Sequence, residues 1–209
     1  PTLVRRLSAI PALILPSGEV LPDSFSIMKY CGFPMEPNFQ LLMDNELGPA
    51  VRRFCYTEIF ATNYPFYRKI QCCNKPLMVV FDVMEACLQL SESLKSMMDL
   101  TEKGREIAKD NMTKVLIEVT KILQTNKFLG SGSGSDKFGG ADLSYSALIG
   151  WIILPENFHN NVIPNELIKV EQFSLSLKYI EYREQIFKEF SVAVEHCRMC
   201  YREYRVPRV

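Results

Sequence analysis

The sequence is short of most things that would declare a function outright. It has two histidines and one tryptophan in 209 residues, and its 24 basic and 24 acidic side chains cancel. With no net charge, no global field draws the chain onto a phosphate backbone. A nucleic-acid binder would need a local basic patch, and the sequence has only weak ones. Long apolar runs are missing too. The longest candidates, such as Ala147 to Pro155, are about half the ~20 residues that cross a bilayer, so no membrane span is expected. Pro11 and Pro16 break up the apolar stretch near the start, which therefore does not read as a secretory or transit signal. A 47% apolar and 23% charged composition excludes disorder and collagen-like repeats. The expectation is a soluble chain forming one large domain, or one and a fraction.

Cysteine is present in an uninformative pattern. Seven residues (Cys31, Cys55, Cys72, Cys73, Cys87, Cys197 and Cys200) make an odd, irregularly spaced set. That points to reduced thiols, in the cytoplasm or another reducing compartment such as the mitochondrial matrix. Cys197 and Cys200 form a C-x-x-C beside His196. A zinc site needs four ligands, and the adjacent Cys72 and Cys73 lack the spacing to complete one, so no metal is expected. The pair fits one half-buried face of a terminal helix better. His159 lies far from His196. His196 adjoins Cys197, but helix neighbours do not face each other, so no Cys–His catalytic pair is expected either.

Ala12-Leu13-Ile14-Leu15, the turn Pro16-Ser17-Gly18-Glu19 and Val20-Leu21 read as a β-hairpin. Asp23 and Ser24 then offer caps for a helix over about 24–30. Two strands bury too little to stand alone, so partner strands should come from sequence preceding Pro1 or from another chain. A loop from Cys31 to Pro37 leads into a pattern that is helical almost to the end. One helix is expected over about 45–61, with Pro49 in its first turn and Ala50, Phe54, Ile59 and Phe60 as core. A mixed, Met- and Leu-rich stretch over 76–99 follows. The clearest helix runs over 101–125, burying Met112, Val115, Leu116, Val119, Ile122 and Leu123. Lys103, Arg105, Lys109, Asp110 and Lys114 form its solvated face.

Ser131-Gly132-Ser133-Gly134-Ser135 reads as a flexible loop by composition. The next helix starts at a Gly139 cap, with Asp142 bonding back to the cap and a Phe138–Leu143 staple, and ends at Pro155. Its apolar set Leu143, Ala147, Leu148, Trp151 and Ile152 should make it the central helix. From Pro164, two or three more helices reach about Tyr204. In that Tyr- and Arg-rich end the tyrosines are expected to pack the last helix onto the core, against the alternative of an interaction surface.

In this order, the segments Ile10-Pro11-Ala12-Leu13-Ile14, Gly18 to Tyr30, Phe128-Leu129-Gly130 and Phe138 to Leu148 resemble the glutathione S-transferase superfamily. Glu46-Leu47-Gly48-Pro49-Ala50-Val51-Arg52-Arg53, with Ile153-Leu154-Pro155-Glu156, looks like an uncharacterised subgroup of glutathione-transferase-like proteins. The resemblance implies a mainly α fold: a partial thioredoxin-like hairpin and helix at 1–32, then an all-helical C-terminal bundle at 40–209. It implies that Ile10, ahead of a cis Pro11, pairs with the cysteinyl part of glutathione. Asp23 and Ser24 would hold the γ-glutamyl end. The alternative for that pair is that they simply cap a helix.

No catalytic residue can be assigned, because the family's activating Ser, Tyr or Cys belongs to a part of the thioredoxin-like domain that this sequence lacks. Two functions stay open. One is a glutathione-transferase-like protein, conjugating or reducing small electrophiles if a catalytic residue precedes Pro1, with an apolar second substrate against the 139–154 helix. The other is a catalytically silent module of the same fold, a homodimer or a subunit of a larger assembly, covered by its partner on exposed Met, Phe and Tyr side chains.

Overall fold

A computed structural model describes residues 12–62, 96–155 and 177–204 of the chain. Their architecture is mainly helical, preceded by one small hairpin. Strands β1 (Leu13–Ile14) and β2 (Val20–Leu21) pair antiparallel, Leu13 opposite Leu21 and Ile14 opposite Val20. Gly18 closes the turn at φ 85°, a conformation that an L side chain resists. Only Leu21 of the hairpin is buried. Helix α1 (Ser24–Tyr30) follows, capped by Asp23, with Phe25 and Met28 packed partly against the main core.

Helix α2 (Pro37–Leu41) runs into a π-helical segment, Leu42–Leu47, and then into α3 (Gly48–Thr62). The Gly48 N–H bonds to the Met43 carbonyl, five residues back, which is the wider ladder of a π turn. Pro49 is the second residue of α3 but lies inside a helical run continuous from Pro37, so its missing N–H removes a donor from the ladder, directly after the π turn. Ala50 and Phe54 are buried as expected; the side chains of Ile59 and Phe60 lie outside the description, as does most of the 76–99 stretch.

Helix α4 (Glu102–Thr125) begins at Thr101, whose hydroxyl accepts from the Gly104 N–H at 3.0 Å. Met112, Val115, Leu116 and Val119 are fully buried, and Ile122 and Leu123 pack beside them partly covered. One position departs from the expected solvated face. Arg105 is buried, its guanidinium paired with the equally buried Glu58 of α3 and reaching Glu102 at 3.2 Å. Nothing near Arg105 in sequence announces a partner 47 residues away.

Helix α5 (Gly140–Ile153) is the most apolar, and it packs against both α3 and α7. The expected apolar set is buried only in part: Ile152 is, and Leu148 packs partly against the core. Ala141, Tyr145, Ile149, Ile152 and Ile153 face the core, whereas Leu143 and Trp151 are each 41% exposed. On a helix this apolar, hydrophobicity alone does not choose a face, because apolar residues occur all round it. A polar residue decides instead: Asp142 turns inward because the preceding loop and His196 of α7 meet it there. Helices α6 (Leu177–Glu189) and α7 (Ser191–Glu203) close the described bundle, and Tyr179, Tyr182 and Tyr201 pack into the core. The expected start at Pro164 lies outside the described residues. Among those residues no helix is long and apolar enough to cross a membrane.

Candidate functional site

The start of α1 holds the two expected glutathione-contacting residues that can be placed. Asp23 has an extended backbone, and its Oδ1 accepts the Ser26 N–H at 2.7 Å. It is half-buried, and Ser24 beside it is exposed. Asp23 therefore makes a sound helix cap, worth about 1 kcal/mol, with Ser24 as the first helical residue. Ile10 and Pro11 lie outside the described residues, so the four positions are not brought together here.

A second constellation forms where α5 begins. Asp142, fully buried, accepts four hydrogen bonds. Oδ1 takes the Leu129 N–H at 2.8 Å and contacts His196 Nε2 at 2.7 Å, while Oδ2 takes the N–H groups of Gly130 at 2.9 Å and Gly139 at 2.8 Å. The expected bond from the cap to the third helical residue is thus present. Glycine at the cap has a steric cause: a Cβ on Gly139 would sit 2.2 Å from the Gly130 carbonyl oxygen. The Phe138–Leu143 staple does not form. Phe138 stacks instead on Tyr204, ring centroids 4.1 Å apart, and Leu143 turns outward.

The Ser-Gly loop is not a loose tether. Phe128 and Ser135 exchange both backbone hydrogen bonds at 2.9 Å, closing it. Ser131 and Ser133 donate their hydroxyls to Glu36 at 2.9 and 2.6 Å. Those bonds, that of Ser133 first, hold the Glu36 carboxyl below its usual range. Composition reports that the backbone is permissive, and a single acceptor here selects one conformation.

His196 and Cys200, four apart on α7, share a face, and Cys200 Sγ lies 3.6 Å from His196 Nε2. Asp142, His196 and Cys200 thus place three potential metal-ligand atoms within 4.8 Å of one another. The sequence argument set Cys197 aside as a helix neighbour of His196 but did not weigh Cys200, which lies one turn on. A Ser- or Cys-type triad uses one imidazole nitrogen for the carboxylate and the other for the nucleophile. Here both contacts fall on Nε2, so the arrangement does not relay a proton from thiol to carboxylate. Burial, ahead of all other causes, pushes the Cys200 thiol up to about 12, which leaves it protonated at neutral pH. A metal would have to replace the Asp142–His196 contact and take that proton. As it stands, the cluster is a tie joining the 128–135 loop, α5 and α7. Cys55 is also pushed up to about 12 by burial, and Cys197 higher still.

No protein-family model, curated protein or solved structure matches this sequence.

Proposed function

We propose that this chain is a glutathione-transferase-like protein that binds glutathione through Ile10, Pro11, Asp23 and Ser24. The supporting observation is the hairpin passing directly into an Asp23-capped helix whose inner side chains lie against the helical core. This is the order of parts that the sequence resemblance requires. Asp23 uses one carboxylate oxygen, Oδ1, on its own helix, and Oδ2 is the oxygen that would meet the γ-glutamyl ammonium. Conjugation or reduction of a small electrophile would follow if an activating Ser, Tyr or Cys is supplied. Cys55, Cys197 and Cys200 are excluded from that role, since a buried, protonated thiol is not a nucleophile. Titration calorimetry with glutathione tests the reading. Saturable heat that disappears in Asp23→Ala is expected, and no heat at millimolar ligand would reject it.

A second reading, a catalytically silent module covered by a partner chain or a second copy, draws on a different observation. Leu143, Ala147 and Trp151 repeat every four residues along the outward side of α5, all exposed. Material from the natural source, run on a sizing column, would elute as a stable complex on this reading. A clean monomer would count against it.

A further inference from the structure

At the C-terminal end of α5 the surface folds into a groove of about 490 Å³, lined in part by Leu154, Pro155, Arg183, Glu195, Arg198 and Arg202. This is the end of α5 away from Gly140, which packs against the Phe33 and Pro34 carbonyls. Three guanidinium groups therefore share a groove with a single lining carboxylate. They are not equally free to move. Arg183 is half-buried and donates through Nη2 at 2.8 Å and Nε at 3.3 Å to the Ile153 carbonyl. Its guanidinium carbon also lies 4.6 Å from the centroid of the Phe187 ring. Arg198 approaches the same ring at 4.8 Å. Two guanidinium groups thus lie within 5 Å of the centre of one aromatic ring on α6.

The available carboxylates offset them only in part. Glu195 Oε2 is 3.7 Å from Arg198 and its Oε1 is 3.6 Å from Arg202, both longer than a well-formed ion pair. Glu203 reaches Arg202 at 3.8 Å, and no acidic side chain pairs with Arg183 among the described residues. Cations lining one groove repel each other, and an anion bound among them would reduce that repulsion. Guanidinium forks match the oxygens of phosphate in particular, because two parallel N–H groups meet two oxygens. The groove is far larger than one phosphate group and falls in the range of small-molecule sites, roughly 300–1,000 Å³. Leu154 and Pro155 supply an apolar wall for the remainder of a ligand.

We propose that this groove binds a phosphate monoester of a small organic molecule, its phosphate on Arg183, Arg198 and Arg202 and its body against Leu154 and Pro155. The site is separate from Asp23 and does not depend on glutathione binding. The full chain is titrated with phenyl phosphate and with inorganic phosphate, followed by calorimetry and by backbone amide shifts. Saturable binding of phenyl phosphate is expected, tighter than inorganic phosphate, weakening as salt is added, and shifting the amides of α7 near Arg198. Arg198→Gln, at an exposed position, should weaken it at least tenfold with the fold intact, whereas the exposed Arg52→Gln on α3 should leave it unchanged. Absence of saturable binding, or binding equally strong in Arg198→Gln, would overturn the site. Equal affinity for the two ligands would overturn the assignment to an organic ester.

Discussion

Asp142 carries more of the structure than any other single polar side chain described, and the reason is stoichiometric. A carboxylate has about four acceptor positions, and here three backbone N–H groups and one imidazole fill them. Replacing it with Ala would strand several buried donors at once. A loss of about 3–5 kcal/mol in unfolding free energy is expected, measurable by urea denaturation. The bond to its own cap was legible in sequence, from its position three residues after Gly139. The bonds to Leu129, Gly130 and His196 were not, because they depend on where a loop and a later helix come to rest. Thiol chemistry divides in the same way. Exposed Cys31 should react with an alkylating reagent in the native protein at neutral pH, while Cys55, Cys197 and Cys200 stay unlabelled until it unfolds. Peptide mapping by mass spectrometry reads this directly. Glu36 makes a pH prediction. Its folded pKa lies below the ordinary carboxylate value, so its stabilising effect is present above that value and disappears as pH falls through the lowered one. Glu36→Gln should flatten that part of the stability–pH curve.

Among the elements, those with local signals were readable and those with tertiary causes were not. The hairpin turn at Gly18, the cap at Asp23, the cap at Thr101 and the stop at Pro155 each follow from one or two residues. Which side of α5 is buried does not, since nearly every position on it is apolar. The observed orientation predicts that Ile149→Ala costs about 2–5 kcal/mol. Leu143→Gln, on the outward side, should change stability by about 0.5 kcal/mol or less. Reversed magnitudes in denaturation would mean that the helix is turned the other way. Between α3 and α4, the buried Arg105–Glu58 pair carries its own expectation. Arg105→Met should destabilise by about 3–5 kcal/mol, because it removes a buried charge that pairs with the buried Glu58 carboxylate. Replacing both residues with apolar ones should restore part of that loss, which a double-mutant cycle would quantify.

At the scale of the whole molecule, the described residues give a helical body with a two-stranded hairpin and a short capped helix at one end. A hydrogen-bonded junction organises the start of α5, and an arginine-lined groove marks its end. The proposed glutathione site draws on the first of these regions and leaves the other two as framework and as a separate binding surface. The resemblance in sequence suggests the ligand, and the structure shows Asp23 as the cap of α1. The most direct test follows the backbone amides of Ser24, Phe25 and Ser26 by nuclear magnetic resonance while glutathione is added. The account predicts saturable shifts confined to these residues and the hairpin, and abolished by Asp23→Ala. Unchanged amides at millimolar glutathione, in a protein whose spectrum shows α1 intact, would contradict it and leave Asp23 as a helix cap alone.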